Sequence, residues 1–217
     1  MDSVTRSGLK SPKAAGIAGV LFAGLLLTSL ALILQTVQVR PTDPGAWLVE
    51  DAWRVRLAIN LIPFAGVSFL WFIGVLRDRL GAAEDRLFST VFLGSGLLFV
   101  GMLFVSAAIT GAILAAHAAS PARFVTSDTF VLGRSLAYMV TSVYAVKMAA
   151  VFTFTASTLI YRTGVTARWT ALAGYGCGLL LLFVTQTLPW ILILFPAWVL
   201  AVSICILVSS YGGEPAE

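Results

Sequence analysis

Lys147 is the residue with the clearest chemical potential, because it is the only Lys, Arg, Asp or Glu within an apolar run of the chain. It lies in the run Ser135–Tyr161, about 18 Å or more from either end at helical rise, too far for its side chain to reach the membrane interface completely. A charge at the bilayer centre costs about 2.5–3.5 kcal/mol. We therefore expect Lys147 to face the bundle interior, a water-filled cavity or a partner chain.

Hydroxyl groups at similar depth complete a predicted polar site. Tyr144 and Thr141 lie one and two turns before Lys147, and Ser106 and Tyr175 lie in other apolar runs. Three states of the lysine stay open: a neutral amine bonded to its neighbours, an ammonium balanced by a bound anion, and a salt bridge to another subunit. The predicted ligand or ion pathway therefore consists of Lys147, Tyr144, Thr141, Ser106 and Tyr175.

Catalytic and metal-binding chemistry lacks the residues it needs. His117 is the only histidine, the two cysteines form no CxxC motif, and every carboxylate lies in a tail or a connection. A zinc, di-iron or haem site requires clustered ligands of these types. Ser95 and His117 lie in one predicted helix about 33 Å apart, so they cannot form a nucleophile–base pair. We expect no catalytic residue, metal or cofactor, and we do not expect an enzyme.

The composition of the chain predicts a membrane protein. Of its 217 residues 59% are hydrophobic and 11% are charged, against about 45–50% and 25% in soluble domains. A hydrocarbon core about 30 Å thick requires apolar runs of about 18 residues or more. The sequence therefore predicts an all-α, polytopic bundle of six transmembrane helices. The six runs are Ala14–Val37, Leu57–Leu76, Phe88–His117, Ser135–Tyr161, Trp169–Leu188 and Trp190–Tyr211.

A single transmembrane domain, residues 14–211, lies between a basic tail at 1–13 and a short acidic tail at 212–217. Pro189 interrupts the last apolar stretch and divides it into two spans, because proline disfavours helix at and before its own position. Six crossings with both termini in the cytoplasm place more basic residues inside than outside, as the positive-inside rule requires. The excess of Arg over Lys is typical of GC-rich bacteria. We predict the bacterial inner membrane.

The connection Val39–Arg56 is predicted to contain a short outer interfacial helix, with Asp43 as its N-cap and Pro44 in its first turn. Apolar and charged residues alternate after it, which is typical of an interfacial anchor or of a lid over an entrance. Glu50 and Arg54 stand four residues apart and could pair. The predicted lid or anchor consists of Trp47, Glu50, Asp51, Trp53 and Arg54.

Two classes of function fit these features. The first is a small transporter, channel or ligand-binding membrane component with a polar site around Lys147 that takes an anionic or polar small ligand. The alternative is a non-catalytic structural or assembly subunit of a larger complex, in which Lys147 contacts a membrane partner or another copy. An intramembrane enzyme is the least favoured. The lipid bilayer is a partner in every case, and we expect no nucleic acid to bind because the chain carries no basic stripe.

Overall fold

The computed structural model describes residues 12–37, 45–80, 86–164, 166–184 and 189–211, and this part of the chain contains helices and no strands. The helices are α1 (Pro12–Thr36), α2 (Trp47–Glu50), α3 (Ala52–Leu80), α4 (Arg86–Ala119), α5 (Pro121–Val125), α6 (Asp128–Met139), α7 (Val146–Thr163), α8 (Arg168–Phe183) and α9 (Leu194–Tyr211). A π-helix, Val140–Ala145, joins α6 to α7, and a 3₁₀ helix, Pro189–Ile193, precedes α9. The predicted all-α class is confirmed.

Five helical segments in the described residues are long and apolar enough to cross a membrane. They are Ala14–Thr36, Ala52–Arg77, Ser89–Ala119, Asp128–Thr163 and Trp190–Ser210. The predicted span Trp169–Leu188 corresponds to α8, which has 16 residues and is therefore about 24 Å long, less than a hydrocarbon core of about 30 Å. Five apolar helices of this length are compatible with a multi-pass membrane protein, and the predicted count of six spans is not confirmed.

Local signals set the ends of the helix through the fourth run. It begins at Asp128, seven residues before the predicted start, because the Ser127 hydroxyl accepts a 3.2 Å hydrogen bond from the N–H of Phe130. At the other end Gly164 has a φ of 66°, a left-handed conformation that favours glycine and terminates α7. Between the last two runs, α8 ends at Phe183 and the next helical turn begins at Pro189. The predicted separation of these runs therefore exists, although Thr187 and Leu188 lie outside the described residues.

Six helices pack in a ring. Among the described elements, α1 packs against α3 and α9, α4 packs against α3 and the α6–α7 segment, and α8 packs against α7 and α9. The order around the bundle is therefore α1, α3, α4, α7, α8 and α9. Each helix has one face toward the common core and one face away from it.

Phenylalanine side chains fill the centre of the ring. The Phe69 ring of α3 lies 4.5 Å from that of Phe22, 5.5 Å from Phe99, 5.0 Å from Phe152 and 5.7 Å from Phe195, measured between centroids. These five residues come from five different helices, and all are buried. Aromatic pairs at such distances stabilise the core beyond the burial of their area. At this level the rings of five helices lie in contact with one another at the centre.

Glycines allow the closest helix contacts. A Cβ at Gly19 of α1 would collide with the Ser203 hydroxyl of α9, and one at Gly174 of α8 would collide with the Ser157 hydroxyl of α7 and lie 2.8 Å from Nε1 of Trp198. Small residues let membrane helices pack at short distance, where dispersion contacts hold them together. Gly174 therefore brings α7, α8 and α9 together.

A second apolar cluster closes the end of the bundle at which α3 begins. It contains Trp47, Leu48, Val55, Ile113, Leu114, Phe124 and Phe130. Because α2 has only four residues and buries both Trp47 and Leu48 in this cluster, a separate interfacial helix along the surface is not confirmed. The chain is already in α3 at Ala52, so Arg56 belongs to the long helix. Asp43 and Pro44 lie outside the described residues.

Candidate functional site

Lys147 is exposed on the outer surface of the bundle, at the second residue of α7. Tyr144, three residues earlier, is 53% exposed. Within the described part of the chain, Lys147 makes no ion pair and no side-chain hydrogen bond. Of the three environments expected from the sequence, the bundle interior is not the one that the structure shows for Lys147.

Thr141 and Ser106 meet in the contact between helices. The Thr141 hydroxyl donates a 2.6 Å hydrogen bond to Oγ of Ser106, and the Ser106 hydroxyl donates a 3.1 Å bond to the Ala137 carbonyl. These bonds join α4 to the segment between α6 and α7. Because each hydroxyl already has an acceptor inside the protein, this pair satisfies its own polar groups and stabilises the helix contact.

Tyr175 belongs to a third location. Its hydroxyl lies 2.9 Å from the Thr158 hydroxyl, and its ring lies 6.2 Å from that of Phe154. Thr158 is eleven residues beyond Lys147 in the sequence, or about 16 Å along the helix. The structure therefore brings Thr141 and Ser106 together and leaves Tyr144 and Lys147 exposed on the surface, while Tyr175 lies apart from these residues.

The π-helix Val140–Ala145 determines which way Lys147 faces. The N–H of Val146 bonds to the carbonyl of Thr141, five residues back, so this turn contains one residue more than an α-helical turn. An uninterrupted α-helix with Thr141 facing inward would turn Met148 toward the core and Ala149 away from it. The additional residue rotates the register beyond it by about 100°. Ala149 is therefore buried, and Met148 is only half-buried.

The same shift aligns five exposed residues on one face. They stand at sequence intervals of four, three, five and three, and the interval of five crosses the π-helix. Four of them are exposed by 60%, 45%, 44% and 53% in chain order, and the fifth is the exposed lysine. We call this face the Lys147 strip; it consists of Leu132, Leu136, Met139, Tyr144 and Lys147.

Helix α8 covers α7 only beyond Lys147. Phe154 packs against Gly178, and Thr158 is bonded to Tyr175. In the last turn of α8, Leu181 lines a cavity together with Val146 and Ala149, so α8 ends at the level of Lys147. Between this level and α6, no described residue of α8 covers the Lys147 strip.

That cavity has a volume of about 30 Å³, room for about one water molecule. It lies directly beside the phenylalanine core, and its lining is apolar apart from Thr141. Because the Thr141 hydroxyl is already bonded to Ser106, the cavity presents no free polar group to an ion, and an apolar cavity of this kind stays dry. The lining residues are Leu26, Leu30, Phe99, Leu103, Thr141, Ala145, Val146, Ala149, Leu181, Leu192 and Phe195.

The predicted lid or anchor residues divide between the core and the surface. Trp47 is buried, and its Nε1 has no hydrogen-bond partner among the described residues. Arg54 forms a 3.2 Å ion pair with Asp51 and stands 5.4 Å above the exposed Trp53 ring. The pair expected from the sequence, Glu50 with Arg54, does not form, because Asp51 is one turn before Arg54 and nearer. An exposed pair of this kind adds little to stability.

The potential metal ligands of the described residues are dispersed. No three of the described His, Cys, Asp and Glu residues lie close enough to hold an ion. Cys177 is a buried free thiol in α8 and Cys205 is a partly buried free thiol in α9.

No protein-family model, curated protein or solved structure matches this chain. The functional conclusion therefore depends on the geometry of the chain itself.

Proposed function

We propose that this protein is a non-catalytic subunit of a larger membrane assembly, and that Lys147 contacts the partner within the membrane. The observation that carries the proposal is the exposure of Lys147 on the outer surface, far from both ends of its span. In lipid alone such a charge is costly, and a partner carboxylate would offset that cost. A second copy cannot provide the carboxylate, because none of the apolar runs of this chain contains Asp or Glu.

The transporter, channel or ligand-binding hypothesis stays a prediction with less support. Such a site requires polar groups that converge on a path through the bundle. Here the centre is filled by Phe69 and its aromatic neighbours, and the Thr141 and Ser106 hydroxyls satisfy each other. Lys147 and Tyr144 lie on the outside.

We also propose six crossings of a bacterial inner membrane, with the apolar run Trp169–Leu188, of which α8 forms the first part, as one of the six spans and with both termini in the cytoplasm. Gly16 near the start of α1 is in contact with Leu207 near the end of α9, which supports an even number of crossings. Five crossings would put these two helix ends on opposite sides. The distribution of basic residues favours the cytoplasm for both ends.

For the outer connection we propose an interfacial anchor formed by Trp53 and Arg54. Trp53 is 61% exposed, and the guanidinium of Arg54 lies over its ring. Aromatic rings with a cation beside them are favoured at the boundary of the hydrocarbon core. Trp47, by contrast, holds α2 onto the apolar cluster.

Particle mass tests the proposed function. The tagged chain is purified from its native membrane in mild detergent as wild type, Lys147→Met and Asn60→Met, and the mass and composition of each particle are measured. Asn60 is an exposed polar residue on α3, so its variant controls for the loss of a polar side chain elsewhere on the surface. We expect a second protein in fixed ratio with wild type and Asn60→Met only. An unpaired buried partner carboxylate would cost roughly 3–5 kcal/mol, enough to dissociate the complex.

Two results would contradict the proposal. One is a wild-type particle that contains this chain alone, and the other is a partner that stays bound to Lys147→Met. A stoichiometric small molecule that is lost only from Lys147→Met would favour the ligand-binding function instead.

A further inference from the structure

We infer that the partner contributes one transmembrane helix with a carboxylate near its middle, and that this helix lies on the Lys147 strip, on the α6 side of the level at which the described part of α8 ends. The inference rests on the proposed function and specifies the surface and the chemistry of the contact.

The length of the strip fits a helix. From Leu132 to Lys147 the chain advances fifteen residues, or about 22 Å at helical rise, a large part of a hydrocarbon core of about 30 Å. Leu132, Leu136 and Met139 give it an apolar outer part, to which a lipid-soluble helix can pack by dispersion. The single charged group lies at one end of this apolar surface.

The described end of α8 marks the level at which α8 stops covering this face of α7. Beyond Lys147 the same face of α7 carries Phe154 and Thr158, and α8 packs directly on these two residues. Leu181 in the last turn of α8 lines the same cavity as Val146 and Ala149. A neighbouring helix that packed on the strip nearer to α6 would therefore contact no described residue of α8. A partner helix in that place would complete the layer of helices around α7.

The chemistry of the strip specifies a carboxylate. The Lys147 ammonium is a donor that requires a negative charge, and the exposed Tyr144 hydroxyl one turn away can donate to the same carboxylate oxygens. A partner amide would accept hydrogen bonds without neutralising the charge. Lipid phosphates lie at least about 15 Å from the bilayer midplane, outside the hydrocarbon core. Lys147 has about 18 Å of uncharged helix on either side, so we expect a partner carboxylate and not a lipid phosphate to neutralise it.

Defined peptides test the inference on the intact protein. The full chain is reconstituted in liposomes with fluorescent peptides, each a Leu- and Ala-rich helix of about 22 residues, a length that spans the core. One peptide has a central Glu, a second a central Gln, and a third has the Glu near its end. Energy transfer from a label on this chain reports binding. We expect the central Glu peptide to bind about tenfold more tightly than the other two, and this preference to disappear with Lys147→Met.

A second variant locates the contact. Leu136→Trp adds bulk in the middle of the strip and should weaken binding of the central Glu peptide, while Leu97→Trp, at an exposed position of α4, should leave it unchanged. Equal binding of the three peptides would overturn the inference, as would a central Glu peptide that tolerates Leu136→Trp. If the native partner still dissociates from Lys147→Met under those conditions, the proposed function stands and only this docking geometry fails.

Discussion

At the scale of the residue, Gly174 is one of the positions at which helices pack most closely. A Cβ there would collide with the Ser157 hydroxyl and approach the Trp198 indole, whose Nε1 donates a 3.0 Å hydrogen bond to the Thr170 carbonyl. Trp198 therefore has little freedom to move away.

We predict that Gly174→Ala destabilises the protein by about 1–3 kcal/mol, because overpacking forces neighbouring side chains from their positions. Gly176→Ala is the matched control, since a Cβ at the exposed Gly176 would meet nothing within 4 Å. Thermal unfolding of both variants in detergent measures the difference. Equal melting temperatures would show that α7, α8 and α9 are not in such close contact.

Lys147 itself contributes no contact that the isolated protein would lose. We therefore predict that Lys147→Met melts at the same temperature as wild type or above it, when each is purified without a partner, because the substitution removes the cost of a charge in an apolar environment. Phe69→Ala provides the comparison, since truncation of a central core ring should cost about 3–5 kcal/mol. A marked loss of stability in Lys147→Met would mean that the lysine bonds to neighbouring hydroxyls within the bundle.

At the scale of the element, the π-helix explains how one continuous segment can turn the half-buried Thr141 toward Ser106 and also bury Ala149. The residues before and after it keep their faces only because the turn contains one additional residue. Removal of Val143 should therefore produce a regular α-helix with the same residues inside.

We predict that deletion of Val143 preserves a folded, monodisperse protein, whereas deletion of Val151 does not. Val151 lies in regular α-helix, where loss of one residue rotates everything beyond it by about 100° and displaces Phe152 from the core. Size-exclusion chromatography and thermal unfolding compare the two variants. If both deletions were tolerated or both were disruptive, the π-helix would have no role in setting the register.

The sequence predicts the positions of the long helices because apolar runs and the residues that end them are local features, as with the break at Pro189. It also singles out Lys147 by residue type alone. Helix rotation is not a local feature, because the π-turn and the early end of α8 at Phe183 depend on contacts with other helices. The sequence therefore predicts the depth of Tyr144, Thr141 and Tyr175 in the membrane, and it does not determine whether their side chains face Lys147. For the same reason the sequence predicts a surface position for Trp47, which the structure buries.

At the scale of the whole molecule, the number of crossings determines where the termini lie. Reporters fused after Arg79, Thr163 and Glu217 should all be cytoplasmic, and a reporter fused at Asp128 should be external, if the apolar run that contains α8 crosses the membrane. The charge distribution gives the same orientation. An external reporter after Glu217 together with a cytoplasmic one after Thr163 would mean that α8 and α9 together cross the membrane once.

The central claim is that Lys147 lies on the outer surface of the bundle at mid-membrane and not in a water-filled path. Cysteine accessibility in liposomes tests it most directly: Cys177 and Cys205 are replaced by alanine, and single cysteines are introduced as Lys147→Cys or Asp128→Cys. We predict that a membrane-impermeant maleimide labels the cysteine at 128, where the chain leaves the membrane, and fails to label the cysteine at 147, which a lipid-soluble maleimide then labels. Labelling of both cysteines by the impermeant reagent at similar rates would place water at Lys147 and contradict the account.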